Sequence, residues 1–153
     1  MSRVQLALNV SDLESAVAFY SKLFGAQPAK RYPGYANFAI DEPPLKLVLI
    51  ENPEAGQRLN HLGVEVCTPE EVVGAHDRLT AHGLQGRSEE GVTCCYAVQD
   101  KFWVHDPDRA PWEIYTVLGH ADTMGAGSGR PAAEAACCLG PNGLLAAVDS
   151  DLA

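Results

Sequence analysis

Polar and apolar positions in the first half of the chain predict one helix among four strands. Arg3–Val10 alternates with the period of a half-buried strand. Ser11 and Glu14 then have the spacing of a capping box, and apolar residues recur at helical intervals until Gly25, which suits a left-handed helix end. Turn-forming residues separate three further predicted strands, at residues 29–31, 35–40 and 45–50.

The second half of the chain predicts the same order of elements. A strand over residues 60–66 is followed by a second capping box, with Thr68 as the N-cap, Pro69 at the first helical position and Glu71 as the reciprocal acceptor. Gly83 is the predicted end of this helix. Strands follow over residues 84–86, 95–104 and 112–118, so each half has the order β-α-β-β-β.

The two halves also align as sequences. Residues 5–10 match residues 61–66, and residues 44–47 match residues 111–114, so the spacing between the copies grows and loop insertions fall mostly in the second copy. One such unit alone buries too little surface to be stable. We therefore predict an α+β fold of two βαβββ modules, over about residues 2–52 and 58–118, that pair about a pseudo-twofold axis. Their curved mixed sheet would enclose a cavity.

Composition restricts the choice of partner and compartment. The chain has 153 residues, 46% of them hydrophobic, and a net charge of −9 from 20 acidic and 11 basic residues. This charge argues against nucleic acid and anionic membrane surfaces as partners. No apolar run approaches the roughly 20 residues of a membrane span, and the first residues lack the layout of a signal peptide. A cytoplasmic protein with reduced thiols is expected.

The end of the chain differs from the repeat. Gly, Ala, Ser and Pro dominate after Leu118, and no hydrophobic period continues. We predict a single domain over residues 1–118 and a flexible, disordered tail over residues 119–153. The tail carries a second adjacent pair, Cys137 and Cys138, for which an inert role and the capture or delivery of a soft ion both remain open.

Cys94 and Cys95 are adjacent, which makes a disulfide between them a poor explanation. Neighbouring Cα atoms are about 3.8 Å apart, whereas a relaxed disulfide needs about 4.4–6.8 Å. Two thiols on one span suit a single soft, thiophilic atom; the alternative is that one packs in the core and the other is incidental. Chelation requires a turn or loop here, since strand neighbours point to opposite faces, and Gly91 is the expected hinge. Lys101 and Arg87 are the nearby cations that would favour a thiolate.

The repeat also brings polar positions into correspondence. Gln5 matches His61, and Lys46 matches Glu113, each on a strand flanked by apolar residues. A buried carboxylate needs a partner, and a divalent metal held by Gln5, His61 and Glu113 would supply one while keeping positions open. The alternative is that these are exposed strand residues. Lys46 is expected either to face outward or to act as a counter-charge near Glu113.

These residues together resemble the vicinal oxygen chelate superfamily, the glyoxalase and extradiol dioxygenase fold of paired βαβββ units. Within it the chain is similar to the ArsI-type C–As lyases and the CadI-type cadmium-induced proteins. The resemblance covers about residues 2–120 and rests on residues 4–10, 32–38, 59–65, 93–96 and 111–116.

The resemblance implies a non-haem Fe(II), dioxygen-dependent enzyme. Such an enzyme cleaves the carbon–arsenic bond of trivalent organoarsenicals, such as methylarsenite and aromatic arsenicals, and releases arsenite. By position, Gln5, His61 and Glu113 would hold the iron, and Cys94 and Cys95 would hold the arsenic.

Two other functions remain open from the sequence. One is a resistance protein that binds cadmium or arsenite through its thiols without turnover. The other is a glyoxalase-like enzyme that uses Zn(II) or Ni(II) on a carbon substrate, which leaves the cysteine pair unexplained. The sequence also leaves open whether the modules pair within one chain or between two chains of a homodimer.

Overall fold

A computed structural model describes residues 2–125, in which the β-α-β-β-β order occurs twice. The first module contains β1 (Arg3–Val10), α1 (Leu13–Phe24), β2 (Lys30–Tyr32), β3 (Tyr35–Ile40) and β4 (Leu45–Glu51). The second contains β5 (Leu59–Glu65), α2 (Pro69–Ala81), β6 (Arg87–Cys94), β7 (Ala97–His105) and β8 (Pro111–His120).

All eight strands join one curled mixed sheet with the order β2-β3-β4-β1-β5-β8-β7-β6. Within each module the first strand pairs in parallel with the last, β1 with β4 and β5 with β8. The modules meet where β1 and β5 pair antiparallel within the chain, so the strand order is symmetric about that pair. The predicted α+β fold with a curved mixed sheet is confirmed.

The two faces of the sheet differ in polarity. Successive strand residues point to opposite sides, so each face carries its own set of side chains. Leu13 and Val17 of α1 pack on the outer face, as Val72 of α2 does against Phe102 and Val104. The inner face instead carries a set of buried polar side chains: Gln5, Asn37, His61, Gln99, Lys101 and Glu113. The apolar core therefore lies beneath the helices, and the chemistry lies in the concave interior.

The helix ends follow the predicted signals with one correction. Asp12, and not Ser11, caps α1, since its carboxylate accepts the Ser15 backbone N–H at 2.7 Å. Both residue types cap helices well, and the predicted N-cap at Ser11 is wrong by one residue. Glu14, the expected partner in the capping box, pairs with Arg31 instead. The predicted helix end at Gly25 is confirmed by its positive φ of 62°.

The second helix begins as predicted. Thr68 accepts the backbone N–H of Glu71 at 3.3 Å, and the Glu71 carboxylate accepts the backbone N–H of Thr68 at 2.9 Å. Pro69 occupies the first helical position. The helix ends at Ala81, just before Gly83, whose φ is +82°.

Strand boundaries in the second module differ from the prediction. The expected strand over residues 84–86 is wrong, because β6 lies at Arg87–Cys94, a polar edge strand without the alternation that reveals a half-buried one. β7 begins at Ala97 rather than at residue 95, since Cys95 and Tyr96 form a turn. β8 continues to His120, and residues 126–153, with Cys137 and Cys138, lie outside the described residues.

Within residues 2–125, no helix combines the length and the apolar character needed to cross a membrane.

We expect Thr68→Ala to lower the free energy of unfolding by about 1 kcal/mol, because the N-terminal amides of α2 lose their side-chain acceptor. Urea denaturation followed by circular dichroism measures this loss. Thr80→Ala is the matched control, since Thr80 is exposed near the end of the same helix. Equal losses in both variants would contradict the capping role.

Candidate functional site

The three predicted metal ligands meet on the inner face of the sheet. Gln5 comes from β1, His61 from β5 and Glu113 from β8, and each side chain is buried. The Gln5 Nε2 lies 3.0 Å from His61 Nε2 and 2.5 Å from Glu113 Oε1. His61 Nε2 lies 3.2 Å from Glu113 Oε1. The structure therefore gathers one imidazole, one carboxylate and one amide into a single cluster.

This donor set fits a divalent metal ion. Neighbouring donors of an octahedral ion with bonds of about 2.1 Å lie about 3.0 Å apart, close to the separations in the cluster. The Gln5 Oε1 accepts the Tyr115 hydroxyl at 2.6 Å, so a half-turn of the amide would direct this oxygen into the cluster. Among residues 2–125, no three His, Cys, Asp or Glu side chains form a metal-binding group. The present cluster has two such side chains, His61 and Glu113, and its third donor is the Gln5 amide.

Two asparagines hold the imidazole of His61 in place. His61 Nδ1 lies 2.6 Å from the side-chain oxygen of Asn60, which is an acceptor and so keeps the ring proton on Nδ1. The Asn60 amide nitrogen donates to Asn9 Oδ1 at 2.9 Å, which fixes the orientation of Asn60. The lone pair of His61 Nε2 therefore faces the cluster, as a metal-binding histidine requires.

The charge of Glu113 is compensated inside the protein. Burial raises the pKa of this carboxyl, but the Lys101 ammonium outweighs burial and holds the pKa of Glu113 well below its usual range. Lys101 is itself buried, and its Nζ donates to Glu113 Oε2 at 2.8 Å. The other oxygen, Oε1, faces Gln5 and His61, so the two carboxylate oxygens have separate partners.

The two lysines and Arg87 have partners other than those expected from the sequence. Lys46 is not outward-facing: it is buried from most solvent and lies 3.4 Å from Glu65. Lys101 contacts Glu113 and is therefore the close counter-charge that was expected of Lys46. Arg87, proposed as an activator of the cysteines, pairs with Glu89 at 2.7 Å.

Gly63 explains how Gln5 and Glu113 approach each other across β5. It is the strand partner of both Gln5 and Glu113, so it lies between them in the sheet. A Cβ at this position would lie 2.9 Å from Glu113 Cγ and 3.4 Å from Gln5 Cβ. This residue was not predicted from the sequence, where its only signal was a glycine within a predicted strand.

The cysteine pair lies at the junction of β6 with the turn to β7, and Cys95 departs from strand geometry as predicted. Cys94 is the last residue of β6, and Cys95 and Tyr96 form the turn with positive φ values of 55° and 60°. This conformation costs a non-glycine residue about 1–2 kcal/mol. It brings the two Sγ atoms to 3.2 Å from each other, a separation that two metal–sulfur bonds of about 2.3 Å can bridge.

Backbone hydrogen bonds hold this turn from two directions. The Cys95 N–H donates to the Met124 carbonyl at 2.8 Å, and the Ala121 N–H donates to the Tyr96 carbonyl at 3.1 Å. Lys30 Nζ from the first module donates to the same Tyr96 carbonyl at 3.3 Å. Residues just after β8 therefore belong structurally to the cysteine turn.

The cysteine pair and the polar cluster share the inner face. Cys94 packs with Ala7 and Tyr35, and Ala7 follows Gln5 by two residues on the same face of β1. The Tyr96 ring stacks on Tyr32 with centroids 3.6 Å apart, which joins the turn to the first module. Ligands bound by the sulfurs would therefore face the same interior as Gln5, His61 and Glu113.

Comparison with known proteins agrees with this arrangement. The family profile of the Glyoxalase/Bleomycin resistance protein/Dioxygenase superfamily matches residues 3–114. The chain belongs to this superfamily. The resemblance to the vicinal oxygen chelate proteins is thereby confirmed.

Two groups of named relatives in this superfamily are similar over most of their length. "Cadmium-induced protein CadI" of Mycobacterium tuberculosis is 61% identical over 127 residues, which are 83% of this chain and 84% of that protein. "Trivalent organoarsenical cleaving enzyme" of Thermomonospora curvata is 58% identical over 139 residues, 90% of this chain and 89% of that protein. "Trivalent organoarsenical cleaving enzyme" of Bacillus sp. strain MD1 is 44% identical over 117 residues, which are 75% of this chain and 73% of that protein.

Solved structures with the same fold include a glyoxalase and a dioxygenase. The Mn(II)-bound glyoxalase from Novosphingobium aromaticivorans has a TM-score of 0.56 at 21% identity and covers 79% of this chain and 42% of its own. An extradiol ring-cleaving dioxygenase from B. fuscum has a TM-score of 0.56 at 23% identity and covers 78% and 34%. At these identities the likeness shows the fold alone.

We expect Gly63→Ala to weaken Mn(II) binding by about tenfold or more, because the added methyl group pushes Glu113 away from Gln5. The same crowding should lower the free energy of unfolding by about 1–3 kcal/mol. Calorimetric Mn(II) titration and urea denaturation measure the two effects. Gly74→Ala is the control, since nothing lies within 4 Å of its added methyl in α2, and it should keep metal affinity unchanged.

We expect Lys101→Met to destabilise the metal-free protein by about 3 kcal/mol, because it leaves the Glu113 carboxylate buried beside fewer positive charges. The double variant with Glu113→Gln should lose less, since it removes the stranded charge as well. Urea denaturation of the four proteins in this cycle gives the coupling between the two residues. A double variant that loses the sum of the two single losses would show that the pair is not coupled.

Proposed function

We propose that this protein is a non-haem Fe(II)- and dioxygen-dependent enzyme that cleaves the carbon–arsenic bond of trivalent organoarsenicals and releases arsenite. The observation that carries the proposal is a sulfur pair 3.2 Å apart on the same inner face as a buried imidazole–carboxylate–amide cluster. Two relatives of 58% and 44% identity are named for cleaving trivalent organoarsenicals, which supports it. A reducing compartment such as the cytoplasm would keep the thiols available.

The sulfur pair would bind the arsenic atom. A trivalent arsenical with one organic group has two exchangeable positions, and Cys94 and Cys95 can fill both without a change of oxidation state. The turn conformation places both sulfurs on one side of the chain. Binding of this kind fixes the carbon–arsenic bond in the interior and supplies proximity and orientation.

The polar cluster would bind the iron. Gln5, His61 and Glu113 would be its protein ligands, and ferrous iron, when bound, would supply the activation of dioxygen. Lys101 keeps Glu113 ionised and separates the roles of its two oxygens. Asn60 keeps the Nε2 lone pair of His61 directed at the cluster, and burial of all these groups limits access of water.

A second candidate function is the binding of cadmium or arsenite by the thiols without turnover. The 61% identical relative is named for induction by cadmium, and a sulfur pair alone suffices to bind a soft ion. This function leaves the buried cluster of Gln5, His61 and Glu113 without a role. Oxygen consumption coupled to loss of the organoarsenical separates turnover from stoichiometric binding.

We expect Cys94→Ser and Cys95→Ser each to lower the rate of arsenite release from methylarsenite at least a hundredfold, because one sulfur cannot orient the carbon–arsenic bond. Arsenite is measured by chromatography with Fe(II) present under air. Cys67→Ser is the matched control, since Cys67 is exposed and lies just before α2, outside the β6–β7 turn, and it should keep full activity. Full activity in both turn variants would contradict the proposed substrate site.

His61→Ala distinguishes the two candidate functions within the same assay. Under the proposed reaction, this variant still binds methylarsenite through its thiols but consumes no oxygen. Under binding without turnover, it behaves like the wild-type chain in both respects. Iron that remains bound at full stoichiometry in His61→Ala would contradict the ligand assignment.

A further inference from the structure

Gln99 places an unpaired carbonyl oxygen inside the protein. Gln99 is only 4% exposed, and its Nε2 donates to the Cys94 backbone carbonyl at 3.4 Å. No donor among residues 2–125 reaches its Oε1. Buried polar atoms nearly always have a partner, so an isolated acceptor of this kind points to a ligand that brings a donor.

The position of Gln99 relates it to both parts of the candidate site. It lies two residues before Lys101 on β7, and such residues share one face about 6.8 Å apart. Lys101 contacts Glu113 in the polar cluster, and the amide of Gln99 contacts Cys94 in the sulfur pair. Any molecule that extends from the sulfurs toward the cluster therefore passes close to Gln99.

The chemistry of a trivalent arsenical supplies the missing donor. In water, an arsenic atom with one organic group carries two hydroxyl groups, and each hydroxyl exchanges for a thiol. After the first exchange one hydroxyl remains on arsenic, and it is a hydrogen-bond donor next to the sulfur pair. The organic group itself has no donor when it is a methyl group.

We propose that Gln99 is a substrate-binding residue whose Oε1 accepts a hydrogen bond from the arsenic-bound hydroxyl that remains after the first thiol exchange. The proposal rests on the proposed function, since it takes an organoarsenical as the ligand of Cys94 and Cys95. The hydrogen bond holds the half-exchanged arsenical in the turn until the second thiol arrives.

Each exchange balances without an oxidant. In the first, one cysteine sulfur forms a bond to arsenic, an arsenic–oxygen bond breaks, and the thiol proton leaves with the hydroxyl as water. The second cysteine repeats the same step with the hydroxyl that Gln99 has held. Arsenic stays trivalent throughout, and the product is the dithiolate of the organoarsenical with two molecules of water.

The experiment uses the reduced, metal-free, full-length chain in which Cys67, Cys137 and Cys138 are replaced by Ser, so that only the turn thiols react. Stopped flow measures the rate at which an arsenical consumes these thiols. Methylarsenite has two hydroxyls and consumes two thiols, whereas dimethylarsenite has one hydroxyl and consumes one. We expect Gln99→Met to slow the second thiol exchange of methylarsenite about tenfold, the loss of one hydrogen bond. Dimethylarsenite loading should stay unchanged, which also shows that the variant is folded.

Gln99→Glu separates the acceptor from the donor of the amide. It keeps an acceptor oxygen but loses the hydrogen bond to the Cys94 carbonyl, and we expect it to load methylarsenite within about threefold of wild type. Loading by Gln99→Glu as slow as by Gln99→Met would assign the effect to the Cys94 contact and overturn the proposal. Equal slowing of both arsenicals would also overturn it, because dimethylarsenite has no hydroxyl left after its single exchange. No slowing would overturn it as well, because a resident water would then be the partner of Oε1.

The result also separates this inference from the proposed reaction. A wild-type chain that consumes no thiol would overturn both. A wild-type chain that loads normally, depends on Gln99 as described, but cleaves no carbon–arsenic bond with Fe(II) and oxygen would overturn the reaction alone.

Discussion

The site depends on one constraint, the burial of the Glu113 carboxylate in the interior of a curled sheet. Removing an ionised carboxylate from water costs several kcal/mol unless positive charges and hydrogen-bond donors replace the water. Lys101, His61 and Gln5 surround it, and together the four residues come from β7, β8, β5 and β1, which are consecutive strands of the sheet. Compensation of this one buried charge thus requires four neighbouring strands in their observed register.

The repeat made the architecture predictable, because two copies of a β-α-β-β-β unit leave few ways to bury both apolar faces. It also indicated Gln5, His61 and Glu113 as one set of candidate metal ligands. What it could not supply was the strand register, because a shift of two residues leaves every side chain on the same face. The alignment matched Gln5 with His61, whereas the sheet sets Glu113 beside Gly63, so the need for a glycine there was invisible.

Lys101 and the cysteine turn show two further limits on what could be predicted from the sequence. Pairing between β7 and β8 decides that Lys101 meets Glu113, and the polar edge strand β6 offered no period from which to infer the hairpin. Two-residue hairpin turns with positive φ normally use Asn or Gly. Cys95 and Tyr96 occupy such a turn instead, so only the chemical requirement for two converging sulfurs indicated it. Strained backbone of this kind is concentrated where function demands it.

The pseudo-twofold repeat has a consequence for how such a site can arise. A dimer of one unduplicated module would carry every residue twice, and symmetry would give either two equal sites or one site on the axis with identical residues from both copies. Here Gln5 of the first module corresponds in the repeat to His61 of the second, and Lys46 corresponds to Glu113, so a single unequal centre forms. Joining both copies in one polypeptide releases them from the requirement of identity. Each half can then carry different residues, and an asymmetric reaction becomes accessible to a scaffold of two similar halves.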